Sequence, residues 1–369
     1  RKAFSNTGIG KEDFNNAGGR RKEVVAMGGK VIPKDSLGEF VSELSERYRL
    51  FGPRRKGTEW AFDEIGSAEE MDLRYSTTIL PPRKFFIPTS ERILSFRMDG
   101  GVEEPEDRDG PSLIFGIHSC DLSALLLLDM VFLEGDFPSP SYARRRERTA
   151  LVALTCAEPS ENCFCESMGT GPSPAGGYDV LLTDLGKEYL AESGSRRGEE
   201  ILALAKGRAA TKGDLDEKAK AIERAKSKFK KKVDLEGIDE LFLRNLDNPI
   251  WGRLGDKDLA CGLCVNSCPT CFCFDVRDQL NFPMESGVRY KEWDACMLLE
   301  FSQVALGGNF RRDRAARIRQ FIGHNLGWGG ASQFKEFKGK AKCVGCGRCI
   351  RYCPAGIDLT EVAKELRGL

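Results

Sequence analysis

Histidine is almost missing from this chain: His118 and His324 are the only two among 369 residues. That leaves little for acid–base catalysis or for a histidine-ligated metal, and no Ser/His/Asp arrangement can be singled out. Net charge is also missing, with 56 Lys and Arg against 56 Asp and Glu. Balance of this kind removes any general electrostatic case for nucleic acid or an acidic membrane. No long apolar run exists. The longest, from Ala124 to Leu133, is broken by Asp129 and is far too short to span a bilayer. No G-x-G-x-x-G opens a helix after a strand, so the chain shows no nucleotide fingerprint of its own. Residues 1–26 lack apolar periodicity and a secretory pattern. They read as a disordered arm or mis-called extension, with the folded protein starting at Met27. Cytoplasmic localisation is the expectation.

What the chain has is cysteine, fourteen in all. Four fall in Cys343-Val-Gly-Cys346-Gly-Arg-Cys349-Ile-Arg-Tyr-Cys353-Pro354, the C-x2-C-x2-C-x3-C-P run of bacterial ferredoxins. In that run three thiolates wrap one iron–sulfur cluster and the fourth reaches the other cluster of a pair. Gly345 and Gly347 are expected to keep Cβ atoms away from cluster sulfide, and Pro354 turns the chain away. Zinc is the bland alternative for CxxC pairs. Ferredoxin spacing in a long chain points to reduced thiolates rather than disulfides.

A partner run exists in Asp258-Leu-Ala-Cys261-Gly-Leu-Cys264-Val-Asn-Ser-Cys268-Pro269, with Asp258 where the first cysteine belongs. Paired in the ferredoxin manner, Cys268, Cys343, Cys346 and Cys349 hold one [4Fe–4S] cluster. Cys261, Cys264 and Cys353 hold the other, one ligand short. Asp258 fills that place as a harder carboxylate ligand, or else is a solvated loop acid and Cys271, Cys273 or Cys296 fills it.

Alternating strands and helices over 27–200 suggest an α/β domain. Strands are expected at 113–118, 149–156 and 178–186, with helices from Asp35 and over 122–132. Residues 201–249 read as a helical linker. Its basic stretch Lys226–Lys232 is a solvated face or a docking site for an acidic partner. Residues 250–369 form the two-cluster, ferredoxin-like domain, with a long insertion between its runs. Arg311, Arg312, Arg314, Arg317 and Arg319 in that insertion face a partner or water. A second constellation, Cys120, Cys156, Cys163 and Cys165, sits just past two buried strands. If those strands are neighbours, all four thiols meet at the carboxyl edge of the sheet, where open α/β sheets place their sites. Four is the number that one further [4Fe–4S] cluster needs. The bland reading is buried apolar cysteine. His118 reads as a hydrogen-bonding residue rather than a ligand.

The segments Phe115-Gly-Ile-His-Ser-Cys-Asp-Leu, Cys163-Phe-Cys-Glu-Ser-Met-Gly-Thr-Gly-Pro, Cys268-Pro-Thr-Cys-Phe-Cys-Phe-Asp, Trp293-Asp-Ala-Cys and Cys343-Val-Gly-Cys-Gly-Arg-Cys resemble the iron–sulfur beta subunit of cytoplasmic sulfhydrogenases. They are similar also to the A subunit of anaerobic sulfite reductase and to iron–sulfur subunits found beside heterodisulfide reductases. The resemblance spans roughly residues 30–365. It implies a non-catalytic electron conduit between a flavin-containing NAD(P)H oxidoreductase subunit and a catalytic oxidoreductase subunit. Asp258 departs from the family pattern, which expects cysteine. The rival expectation is a catalytic subunit that binds substrate at a site-differentiated cluster near Asp258.

Overall fold

The computed structural model describes residues 29–105, 110–327 and 341–369; the expectation for residues 1–26 lies outside them. The strands are β1 (Gly29–Pro33), β2 (Arg49–Lys56), β3 (Glu59–Glu64), β4 (Ser90–Arg97), β5 (Val102–Glu103), β6 (Ser112–His118), β7 (Thr149–Leu154), β8 (Val180–Asp184), β9 (Glu188–Ser193), β10 (Arg208–Ala209), β11 (Phe274–Leu280) and β12 (Ser286–Trp293). Helices α1 (Leu37–Ser45), α2 (Ser119–Phe132), α3 (Pro140–Arg148), α4 (Arg196–Ala203) and α5 (Lys212–Lys226) belong to the first half. Helices α6 (Ile238–Arg244), α7 (Ile250–Lys257), α8 (Leu263–Asn266), α9 (Arg314–Leu326), α10 (Arg348–Arg351) and α11 (Leu359–Leu366) belong to the second.

Eight strands form one mixed sheet in the order β10-β1-β9-β8-β7-β6-β2-β3. Its centre is parallel: β2 with β6, β6 with β7, and β7 with β8. The central strands are buried on both faces and read as near-continuous apolar runs. Side chains alternate between two layers. Leu113, Phe115, Val152 and Leu182 pack with Phe40 and Leu44 of α1 and Ile201 of α4. Ile114, Ile117, Leu151 and Leu181 face the opposite way, onto Leu122, Leu125 and Leu128 of α2 and Tyr142 of α3. Gly116, at φ 81°, takes up the register shift between Phe115 and Ile117 that keeps His118 opposite Leu154.

The sequence boundaries do not coincide with breaks in the structure. The segment 201–249, expected as a helical linker, also supplies β10, the edge of the large sheet. The insertion contributes the hairpin β11–β12, which extends β4 and β5 of the first half into a four-stranded antiparallel sheet. Part of the basic stretch is tied down within the chain, while Lys230 and Lys232 stay exposed. Lys228 pairs with Glu158, and Lys231 bonds Asp358 at the start of α11 at 2.5 Å. Between them Phe229 is buried against Cys163 and Cys165. The insertion arginines likewise serve carbonyls of their own chain. Arg314 donates to Asp258, Arg317 to Arg311 and Arg312, and Arg319 to Leu246.

The second half has its own core. Phe242, Trp251, Phe321, Ile322, Leu326, Leu359 and Val362 fill it, and the ferredoxin cysteines lie on its border.

Candidate metal centres

The two ferredoxin runs fold alike. Gly262 and Gly347 each stand at φ 72° just before a one-turn helix, α8 and α10, which carry Cys264 and Cys349. The two short helices pack against each other, as the paired spacing requires. The reason for glycine is partly different from the expected one. A Cβ on Gly345 would come within 2.6 Å of the Cys165 backbone, and one on Gly347 within 2.3 Å of the Asn162 carbonyl oxygen. Close approach of the loop 162–165, not cluster sulfide alone, therefore demands glycine at both positions.

That loop brings the second constellation into place. Since β6 and β7 are parallel neighbours, Cys120 and Cys156 lie two residues past paired positions, at one carboxyl edge. The Phe164 N–H donates to the Gly345 carbonyl at 2.8 Å, the Thr170 hydroxyl to the Val344 carbonyl at 2.7 Å, and the Cys163 thiol to the Cys346 carbonyl at 3.5 Å. Cys120, Cys156, Cys163 and Cys165 line a recess with His118, Asp121, Cys346 and Arg348. Its wall includes Thr77, whose buried hydroxyl has no partner within the protein. A recess lined by thiols and an unpaired hydroxyl fits an anionic sulfide cluster, since hydrogen bonds to sulfur stabilise such groups. His118 stacks on Tyr75 at 4.0 Å. Burial, then the Arg348 charge, hold its imidazole neutral, with a pKa of about 3. It is a wall of the recess, in line with the hydrogen-bonding reading; the backbone of Ser76 is its partner.

Cys268, Cys343, Cys346 and Cys349 line a second recess with Thr270 and Asn325. The Gly345 N–H points at the Cys343 sulfur at 3.3 Å, an N–H···S contact of the kind that tunes clusters. Cys346 lines both recesses, so the two adjoin. The third group is Cys261, Cys264, Cys353 and Asp258. Burial, followed by the charges of Asp258, Cys353, Cys261 and Cys268, raises the Cys264 thiol well above its ordinary range. The helices α8 and α10, which carry Cys264 and Cys349, pack against each other, which places this group beside the second. Asp258 is not a solvated loop acid. It is buried, burial raises its carboxyl, and its Oδ2 has no partner. A buried carboxylate oxygen without a donor, close enough to act on the Cys264 thiol, suits a metal ligand. Cys271, Cys273 and Cys296 gather elsewhere: Cys273 shares side-chain hydrogen bonds with the other two, near Arg83 and Lys342.

One functional feature was not legible in the spacing. Arg348, inside the ferredoxin run, is fully buried and makes two bonds to Asp121, at 2.7 and 2.8 Å, and two to Thr78. Asp121 follows Cys120 and Arg348 precedes Cys349, so one ion pair ties both recesses together. Arg83 does similar work from the Pro-rich loop, donating to the carbonyls of Cys271 and Asn266 and lying over Trp293 at 3.8 Å.

Burial raises the thiols of Cys120, Cys165 and Cys349 well above their ordinary value and that of Cys346 to about 12. In the iron-free chain the folded state therefore holds protons that the unfolded state releases above about pH 8.5. Its stability should therefore fall as pH rises above that point. Thiolates bound to metal are already deprotonated, so the loaded chain should lack this slope. Melting temperatures of both forms between pH 7.5 and 9.5 check this; equal slopes would contradict it.

Comparison with known proteins agrees with the geometry. Residues 257–357 match the family model of a 4Fe-4S dicluster domain. The chain is thus an iron–sulfur protein of the electron-transfer class. It is also 34% identical over 331 residues to the sulfhydrogenase 2 subunit beta of Pyrococcus furiosus, covering 89% of this chain and 95% of the relative. The chain belongs to the iron–sulfur beta-subunit family of sulfhydrogenases. No solved structure matches it. Among the described residues no helix is long and apolar enough to cross a membrane.

Proposed function

We propose that this chain is the electron relay of a multi-subunit oxidoreductase, passing single electrons along three [4Fe–4S] sites. Cys120, Cys156, Cys163 and Cys165 hold one. Cys268, Cys343, Cys346 and Cys349 hold the middle one. Cys261, Cys264, Cys353 and Asp258 hold the last. The observation that carries this reading is adjacency: Cys346 borders the first two sites, and Cys264 and Cys349 interact between the second and third. A row of neighbouring centres is what stepwise transfer needs. Burial and N–H···S contacts set the potentials. The relative's name, a sulfhydrogenase subunit, supports partner subunits. Those we propose are a flavin-containing NAD(P)H oxidoreductase subunit and a catalytic oxidoreductase subunit of the hydrogenase, sulfite reductase or heterodisulfide reductase type. A cytoplasmic setting suits such partners. The test is a reductive titration of the anaerobic chain followed by electron paramagnetic resonance. Three one-electron signals with spin coupling between neighbours are expected; isolated, uncoupled signals would contradict the row.

Asp258 also favours a second reading, in which the third site binds substrate at its carboxylate-held iron. A substrate-dependent change in that site's signal on the isolated chain would favour it over the relay. In either case Asp258→Ala should release about one iron per chain and give a three-iron signal, and Asp258→Cys should restore it. Unchanged iron and spectrum in Asp258→Ala would remove Asp258 from the ligand set.

A further inference from the structure

We propose that the Thr77 hydroxyl donates a hydrogen bond to cluster sulfur in the site of Cys120, Cys156, Cys163 and Cys165, and so sets that site's reduction potential; this rests on the relay reading above. Thr77 lines the recess and is 4% exposed. Its hydroxyl oxygen is sealed from solvent and has no hydrogen-bond partner among the described residues. A buried hydroxyl left this way is costly, because its bonds to water are lost and nothing replaces them. An acceptor that arrives when the site is loaded removes that cost, and cluster sulfur is the acceptor that a recess of four thiols provides.

Apart from the thiols, the other buried polar side chains of this wall are already committed. Ser119 donates to the Thr170 carbonyl at 2.6 Å. Arg348 makes its four bonds to Asp121 and Thr78, so it and Asp121 form a balanced pair rather than a free charge. His118 is neutral and bonds the backbone of Ser76. Thr77 is the buried donor of the wall that is left over.

Its position is fixed from both sides along the chain. The Tyr75 hydroxyl donates to the Gly116 carbonyl at 2.8 Å. Thr78 donates to the Leu80 carbonyl at 2.8 Å and accepts from Arg348 at 3.0 Å. The Ile79 N–H donates to the Trp60 carbonyl at 3.0 Å. Threonine is also stiff at χ1, so the hydroxyl between these anchors is oriented before any cluster binds. Reduction of a loaded site adds one electron and one negative charge. A donor at its sulfur binds the more negative state more tightly, so Thr77 raises the potential while keeping its own proton.

The test is a redox titration of the anaerobic full chain followed by electron paramagnetic resonance. The signal of this site is identified as the one lost in the double variant Cys163→Ala, Cys165→Ala. Thr77→Val keeps the shape and removes the donor. It should retain its iron, and at the wild-type midpoint the reduced-to-oxidised ratio of this site should fall about tenfold, a shift of about 59 mV for one electron, with the other two sites unmoved. Thr77→Ser should keep the wild-type potential. The iron-free Thr77→Val chain should melt no lower than the iron-free wild type, because no bond within the protein is lost. An unmoved potential in Thr77→Val, an equal shift at all three sites, or a lower melting temperature of the iron-free variant would each overturn the proposal. About eight iron atoms per wild-type chain would remove this site and the first centre of the relay with it, whereas about twelve with an unmoved potential would sink only the role of Thr77.

Discussion

Replacing Cys163 and Cys165 together with alanine should lower iron by about four atoms per chain while the ferredoxin pair survives. The reason is topological. Cys120 and Cys156 are set at one sheet edge by parallel pairing of β6 and β7. In the cluster site we propose they are half of the ligand set, and the loop that carries Cys163 and Cys165 completes it. Its backbone leans on Gly345 through the 2.8 Å bond from Phe164, a contact that alanine side chains leave in place. The second recess keeps Cys268, Cys343, Cys346 and Cys349 untouched. Iron and sulfide analysis with electron paramagnetic resonance checks the result. No loss of iron would leave those two thiols structural, the bland reading of buried cysteine. By contrast, Cys349→Ala should take the middle cluster and destabilise the second half, since metal binding is coupled to folding.

Arg348→Ala should cost about 3–5 kcal/mol of stability and disturb two sites at once. The Arg348 and Asp121 side chains are 1% and 2% exposed, so removing the guanidinium leaves a carboxylate buried without its counter-charge. The Thr78 carbonyl and hydroxyl lose their donors as well. Replacing both partners, Arg348→Met with Asp121→Leu, should recover much of the loss, because a buried pair contributes little net stability over an apolar one. Denaturant unfolding of the loaded chain under anaerobic conditions measures both. A loss under about 1 kcal/mol in Arg348→Ala would show that the pair does not hold the halves together.

Local chemistry was legible in the sequence because ferredoxin ligands are set by short spacing. The run at 343–354 needed only the offsets of four cysteines and a proline, and that at 258–269 the same offsets with Asp258 in the first place. The buried strands at 113–118 and 149–154 stood out as apolar runs, but their adjacency was only a condition until the parallel pairing of β6 and β7 supplied it. What was hidden depends on contacts between distant segments. Nothing in Ser90–Arg97 announces a pairing with Ser286–Trp293, because either could have been an independent hairpin. The spacing of Arg348 looks like that of any loop arginine, and its partner lies 227 residues away. The Lys226–Lys232 stretch read as surface because charge patterns carry no information about which carboxylate waits opposite, here Glu158 and Asp358. For Asp258, burial and an unpartnered oxygen remove the reading as a solvated loop acid, which its place in the sequence left open.

The most direct test is the count of iron and acid-labile sulfide in the anaerobically purified full chain. Three sites require about twelve of each. A folded preparation with about eight would leave the Cys120 constellation without its cluster. Folded protein with zinc or no metal, and no sulfide, would contradict the account outright.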